Sequence, residues 1–204
     1  MKKVVLATRN LGKVEELERM LTVAKIDVQV LGLAEFPDMP DVEETGSTFA
    51  ENALLKARAV STFTKLPALA DDSGLCVDAL DGNPGIYSAR WAGVHGDDKA
   101  NLDKVLKDLE TTGSSDRRGR FVCVVALVFP EWHKNFGREV TRQGETAGEI
   151  MAAPRGTHGF GYDPIFQPHG ESRTTAQMPA HEKDEISHRG KALRAITPDL
   201  LALL

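Results

Sequence analysis

Two adjacent aspartates, Asp71 and Asp72, close a short apolar run and precede Ser73-Gly74, while Glu43 and Glu44 stand earlier in an acidic loop. Carboxylates are hard oxygen ligands suited to magnesium, which takes one or two of them and keeps several waters. A carboxylate beside such an ion can also orient or deprotonate a water. Glu43 and Glu44 join the pair if their loop folds over the strand end. Asp-Asp-Ser-Gly is equally an ordinary turn composition. A second constellation, Thr8-Arg9-Asn10-Leu11-Gly12-Lys13, falls between a predicted strand and a predicted helix. Free backbone N–H groups and the helix dipole receive anionic oxygens there, and Lys13 adds a full positive charge. The glycine spacing and the Lys-Ser/Thr ending of a Walker loop are absent. A tight connection with Asn10 as N-cap reads as well from these residues alone. Asn52 and Lys56, four apart, share one helix face, so Lys56 reaches either an anion or solvent. Glu51 ends Thr48-Phe49-Ala50-Glu51, a reciprocal capping box that leaves it a structural duty.

Further along, Gly156-Thr157-His158-Gly159-Phe160-Gly161-Tyr162-Asp163-Pro164 surrounds an aromatic residue with glycines. Such a loop lets backbone approach a flat ligand on which Phe160 stacks, with Asp163 accepting hydrogen bonds, or else it plugs its two aromatics into the core. Lys183, His188 and Arg189 are read at the start of the last helix, as donors for a carbonyl or an anion or as solvated surface. The histidines lack the spacing of a zinc site. Ser73 lacks the surroundings of a nucleophile elbow.

These residues need elements to hold them. Lys3 to Thr8 reads as a buried strand, and Val14, Leu17 and Leu21 recur at helical spacing after Gly12. A second strand is expected at Asp27 to Leu31, then a loop from Glu35 to Gly46. Ala53, Leu54, Ala57 and Val60 give the next helix an apolar face. Leu66 to Ala70 reads as a strand ending at the aspartates. Leu102, Val105, Leu106 and Leu109 mark another helix, Phe121 to Phe129 a central strand, Glu139 to Gly148 its partner, and Ser187 the start of a helix bearing Ala192, Leu193 and Ile196. Strand-helix alternation with adjacent antiparallel candidates predicts an α/β protein with a mixed sheet.

The 204 residues are 41% hydrophobic and 27% charged, which allows a core without disulfide or metal staples. A net charge of −5 and no long basic run argue against a nucleic-acid polymer as partner. Cys76 and Cys123 sit in apolar surroundings and are expected as buried, reduced thiols. Arg9 and Asn10 interrupt the N-terminal apolar run too early for a signal peptide, and no stretch approaches the ~18 apolar residues of a membrane span. A cytoplasmic enzyme or binding protein is the expectation.

Taken in order, Thr8 to Lys13, Glu43 to Gly46, Thr48 to Ala53 with Lys56, Ala70 to Gly74, Pro84 to Arg90, Gly159 to Pro164 and Ser187 to Gly190 resemble the non-canonical purine nucleoside triphosphate pyrophosphatases, also called the inosine triphosphatase or HAM1-like family. The resemblance runs through nearly the whole chain and implies one domain over 1–204. The implied fold is an elongated α/β fold with a long mixed sheet and two lobes around a nucleotide cleft, usually as a homodimer. The implied activity is magnesium-dependent hydrolysis of inosine, deoxyinosine and xanthosine triphosphates to the monophosphate and pyrophosphate, which removes them from the nucleotide pool. By the same resemblance, Thr8, Arg9, Asn10, Leu11, Gly12, Lys13 and Lys56 hold the triphosphate. Glu44 and Asp72 hold magnesium, and Asp72 accepts the proton. Ser73, Phe160, Gly161, Tyr162 and Asp163 contact substrate, Lys183, His188 and Arg189 recognise the base, and Arg90 adds a phosphate contact. Two positions depart from the family pattern: Arg9 stands where glycine is frequent, and His158 precedes Gly159 where a second glycine is frequent.

Overall fold

The computed structural model describes residues 2–9, 11–23 and 27–204. Asn10 and the side chain of Leu11, both expected at the phosphates, lie outside the described residues. Six strands, β1 (Lys2–Leu6), β2 (Val28–Gly32), β3 (Ala68–Val77), β4 (Arg118–Val128), β5 (Glu139–Ile150) and β6 (Phe166–Pro168), form one sheet in the order β2-β1-β3-β4-β5-β6. β1 pairs in parallel with both β2 and β3, whereas β5 and β6 are antiparallel, which makes the sheet mixed as expected. The helices are α1 (Leu11–Val23), α2 (Phe49–Thr64), α3 (Asp98–Thr112), α4 (Ala180–Ile186) and α5 (His188–Leu203).

The chain divides into two compact units. The first contains Met1–Asp72, Cys123–Gly144 and Gly190–Leu204; the second contains Ser73–Val122 and Glu145–Arg189. In the first, Leu17 and Leu21 of α1 and Ala192, Leu193, Ile196 and Leu200 of α5 pack with Leu69, Val125 and Leu127. Ala53 and Ala57 of α2 pack instead with Ala70, Val124 and Ala126. Neighbouring residues of β3 and β4 thus enter different cores, as the two-residue period of a strand requires. The second unit closes around Leu75, Val77, Val105, Leu109, Phe121, Ile150, Ile165 and Phe166. Cys76 and Cys123 are both buried. No helix among the described residues is long and apolar enough to cross a membrane.

Three sequence expectations need correction. β3 does not end at the aspartates: it runs through Asp71, Asp72, Ser73 and Gly74 to Val77. Turn composition is overridden because the charges find lysine partners and the flanking residues are fully buried. Lys183 lies on α4, a separate helix ahead of α5. The capping box is not reciprocal. Thr48 accepts from the Glu51 N–H at 3.1 Å, but the Glu51 carboxylate turns back to the N–H and hydroxyl of Ser47, at 2.7 and 2.8 Å.

Candidate active site

Alternation along β3 sends its two aspartates to opposite faces, each to its own lysine. Asp71 shares the face of Leu69, beneath α1, and accepts from the Lys13 ammonium at 2.9 and 3.2 Å. Asp72 shares the face of Ala70, beneath α2, and meets Lys56 at 3.2 Å. The pair is therefore not one bidentate cluster. Asp72 is joined instead by Glu44, whose carboxylate accepts from the same Lys56 ammonium at 2.6 Å. Small alanines at 53 and 57 bring α2 close to the sheet, and the position four residues after Asn52 puts Lys56 on the face that looks at Asp72.

Asp72 is only 7% exposed. Burial, the largest influence, pushes its carboxyl above the ordinary range, and the Glu44 charge adds to this. Lys56 and the Asn52 amide oppose it without reversing the direction. For Lys56, burial alone would depress the ammonium, but Asp72, Asp71 and Glu44 outweigh it and leave its pKa raised, so the lysine is charged. Glu43 is exposed, and Glu51 is held by Ser47, which leaves Glu44 and Asp72 as the two carboxylates drawn to one point. Among the described residues no three of His, Cys, Asp and Glu converge on a metal position. Two carboxylates gathered around one cation suit magnesium, which completes its shell with water and phosphate oxygens.

Thr8 is half-buried beyond β1, its carbonyl accepting from the Leu33 N–H at 3.1 Å. Gly12 and Lys13 fall in the first turn of α1. Arg9 is engaged elsewhere: its guanidinium donates to the Met39 carbonyl at 2.6 Å and to Asp41 at 3.4 Å.

The second unit assembles a different set. The Phe160 ring is 44% exposed, and both the Lys183 ammonium and the Arg189 guanidinium lie over it, 5.1 and 5.5 Å from its centre. Arg189 is buried and donates to the Ser73 hydroxyl at 3.1 Å, while His188 stacks on Phe121 at 4.6 Å. Asp163 is buried and heavily used: it accepts from the Phe160 N–H at 2.9 Å, from the Thr175 hydroxyl at 2.8 Å and from Lys183. Its carboxylate thus shapes the loop and holds the lysine. The Tyr162 ring lies in the core, its hydroxyl donating to the Ser88 carbonyl at 2.8 Å, so only its backbone remains for a ligand. Gly161 has φ of +60° and donates its N–H to Asp98 at 2.8 Å. Arg90 lies over the ring of Tyr87 at 5.3 Å.

Sequence reading missed Asp98, Thr175 and Ser88, because each reaches the loop across a long chain separation that no local spacing records. It also left Asn52 without a role, although Asn52 connects Asp72 to the loop that carries Glu44. The chemical content of the two sets differs: lysines and carboxylates suited to phosphate and a divalent ion, and an aromatic face flanked by donors suited to a flat heterocycle.

A family model described as the Ham1 family matches residues 4–199. A Streptomyces avermitilis protein named dITP/XTP pyrophosphatase is 52% identical over all 204 residues, with both chains fully covered. A Geobacter sulfurreducens protein of the same name is 46% identical, with 98% of this chain and 97% of its own covered. Among solved structures, a HAM1 protein from Coxiella burnetii is 44% identical and superimposes with a TM-score of 0.89 over 99% of this chain and all of its own.

Proposed function

Since the chain belongs to the Ham1 family, we propose that it hydrolyses non-canonical purine nucleoside triphosphates to the nucleoside monophosphate and pyrophosphate. The observation that carries this is the convergence of Glu44 and Asp72 on Lys56, beside a second lysine-aspartate pair formed by Lys13. Lys13, Lys56 and the first turn of α1, with Thr8, bind the phosphates. Glu44 and Asp72 hold magnesium. The ion supplies charge neutralisation on the phosphate oxygens and on the developing leaving group. Asp72 orients a water toward the α-phosphorus and takes its proton. In the metal-free protein, burial holds the Asp72 carboxyl above the ordinary aspartate range. Pyrophosphate leaves, and no covalent intermediate forms.

On the base side, Phe160 stacks on the purine while Arg189 and His188 donate to its 6-carbonyl. Ser73 and Phe121 fix those two side chains. Adenine offers an amino donor where hypoxanthine and xanthine offer an acceptor, so it leaves buried donors unpaired. Asp163 holds Lys183 at the rim of the ring. Residues 1–204 act as one catalytic domain, and a cytoplasmic homodimer, carried by the family resemblance, completes the reading; sedimentation equilibrium tests the dimer.

The decisive variant is Asp72→Asn, which keeps shape and loses basicity. It should lower kcat at least a hundredfold while nucleotide binding, measured by calorimetry, persists. Retention of more than about a tenth of kcat, a barrier change under ~1.4 kcal/mol, removes Asp72 as the base.

A further inference from the structure

Asn52 has no surface exposed at all, an uncommon position for a polar side chain unless every group on it is used. Its carbonyl oxygen accepts from the Gly46 N–H at 2.8 Å, and its amide nitrogen donates to Asp72 at 3.2 Å. Only one of the two orientations of a side-chain amide sets the acceptor against an N–H and the donor against a carboxylate, so the residue is read by both neighbours at once. Gly46 lies two residues beyond Glu44. A Cβ at Gly46 would stand 2.7 Å from the Asn52 oxygen, so the close approach of loop to helix depends on glycine there.

From this geometry we infer that Asn52 is a positioning residue for the divalent metal. One buried amide ties the loop bearing Glu44 to the strand bearing Asp72 and so sets the spacing of the two carboxylates. The inference rests on the reading of Glu44 and Asp72 as the metal ligands. Lys56 bonds to both carboxylates but its flexible stem follows them. The Asn52 amide is short, planar and anchored in the first turns of α2, and it constrains them. Partners that orient metal ligands typically contribute 10- to 100-fold to metal affinity.

Mn2+ binding to the full chain, followed by water-proton relaxation in the presence of pyrophosphate, is the test. Asn52→Ala should raise the Mn2+ dissociation constant roughly 10- to 100-fold. The Mg2+ concentration for half-maximal turnover should rise in parallel, kcat should recover at saturating Mg2+, and the ratio of kcat/KM between deoxyinosine and deoxyadenosine triphosphates should stay fixed. A merely structural role would not be rescued by metal. Gly46→Ala severs the same link from the loop side and keeps the test open if Asn52→Ala misfolds. The double variant should bind Mn2+ no more weakly than the worse single one, because the two remove one coupled interaction. Wild-type Mn2+ affinity in Asn52→Ala, or in Gly46→Ala if the former does not fold, overturns the inference while Glu44→Gln still weakens binding. Wild-type affinity in both Glu44→Gln and Asp72→Asn, or no relaxation enhancement in the wild type, overturns the ligand reading and the inference falls with it.

Discussion

At the level of single residues, charge is buried yet answered by opposite charge. Asp72 carries a raised pKa because burial outweighs the attraction of Lys56. Folding therefore makes this carboxyl bind its proton more tightly than the unfolded chain does. Its contribution to stability is fully present below the unfolded pKa and is lost as pH rises through the higher folded one. In metal-free protein, carbon-13 carboxyl shifts should show Asp72 titrating above the ordinary aspartate value, and Lys56→Met should move it higher still by deleting the main opposing charge. A titration at or below the ordinary value would mean that the lysine dominates. Arg189 supports a second expectation. If its guanidinium reads the 6-carbonyl, Arg189→Ala should cut kcat/KM for inosine triphosphate about tenfold to a hundredfold more than for adenosine triphosphate, as a charge-assisted hydrogen bond implies. An unchanged ratio would make Arg189 a phosphate or structural residue instead.

At the scale of elements, the positions of reactive groups follow from how strands alternate and loops are pinned. The β1–α1 connection, the α2 face and the central strand were legible in the sequence because local periodicity records them. The course of β3 was not, since Asp-Asp-Ser-Gly has turn composition and the lysines that neutralise it are supplied by other elements, Lys13 from α1 and Lys56 from α2. The Phe160 loop was legible as a glycine-flanked aromatic, but the core position of Tyr162 and the clamp at Asp163 arise from Ser88 and Thr175, distant in the chain. Gly159 tests that clamp. Its φ is +76°, and a Cβ there would stand 2.1 Å from the Asp163 carboxylate. Gly159→Ala should cost roughly 1–2 kcal/mol in left-handed strain, read by denaturant unfolding, and should weaken nucleotide binding while leaving pyrophosphate affinity near wild type. Equal weakening of both ligands would show that the loop does not serve the base.

At the level of the whole molecule, the first unit holds Lys13, Lys56, Glu44 and Asp72, and the second holds Phe160 with Lys183 and Arg189 over its ring. Which bond breaks, and in which nucleotides, can be read from a single reaction. The protein is incubated with magnesium in oxygen-18 water and with deoxyinosine, xanthosine and deoxyadenosine triphosphates in turn, and products are followed by phosphorus-31 NMR and mass spectrometry. Nucleoside monophosphate and pyrophosphate should form in equal amounts, with the heavy oxygen in the monophosphate and kcat/KM for the two 6-oxo purines at least about tenfold above that for the adenine nucleotide. Release of orthophosphate with a nucleoside diphosphate, label in the pyrophosphate, or equal turnover of all three nucleotides would contradict the proposed reaction.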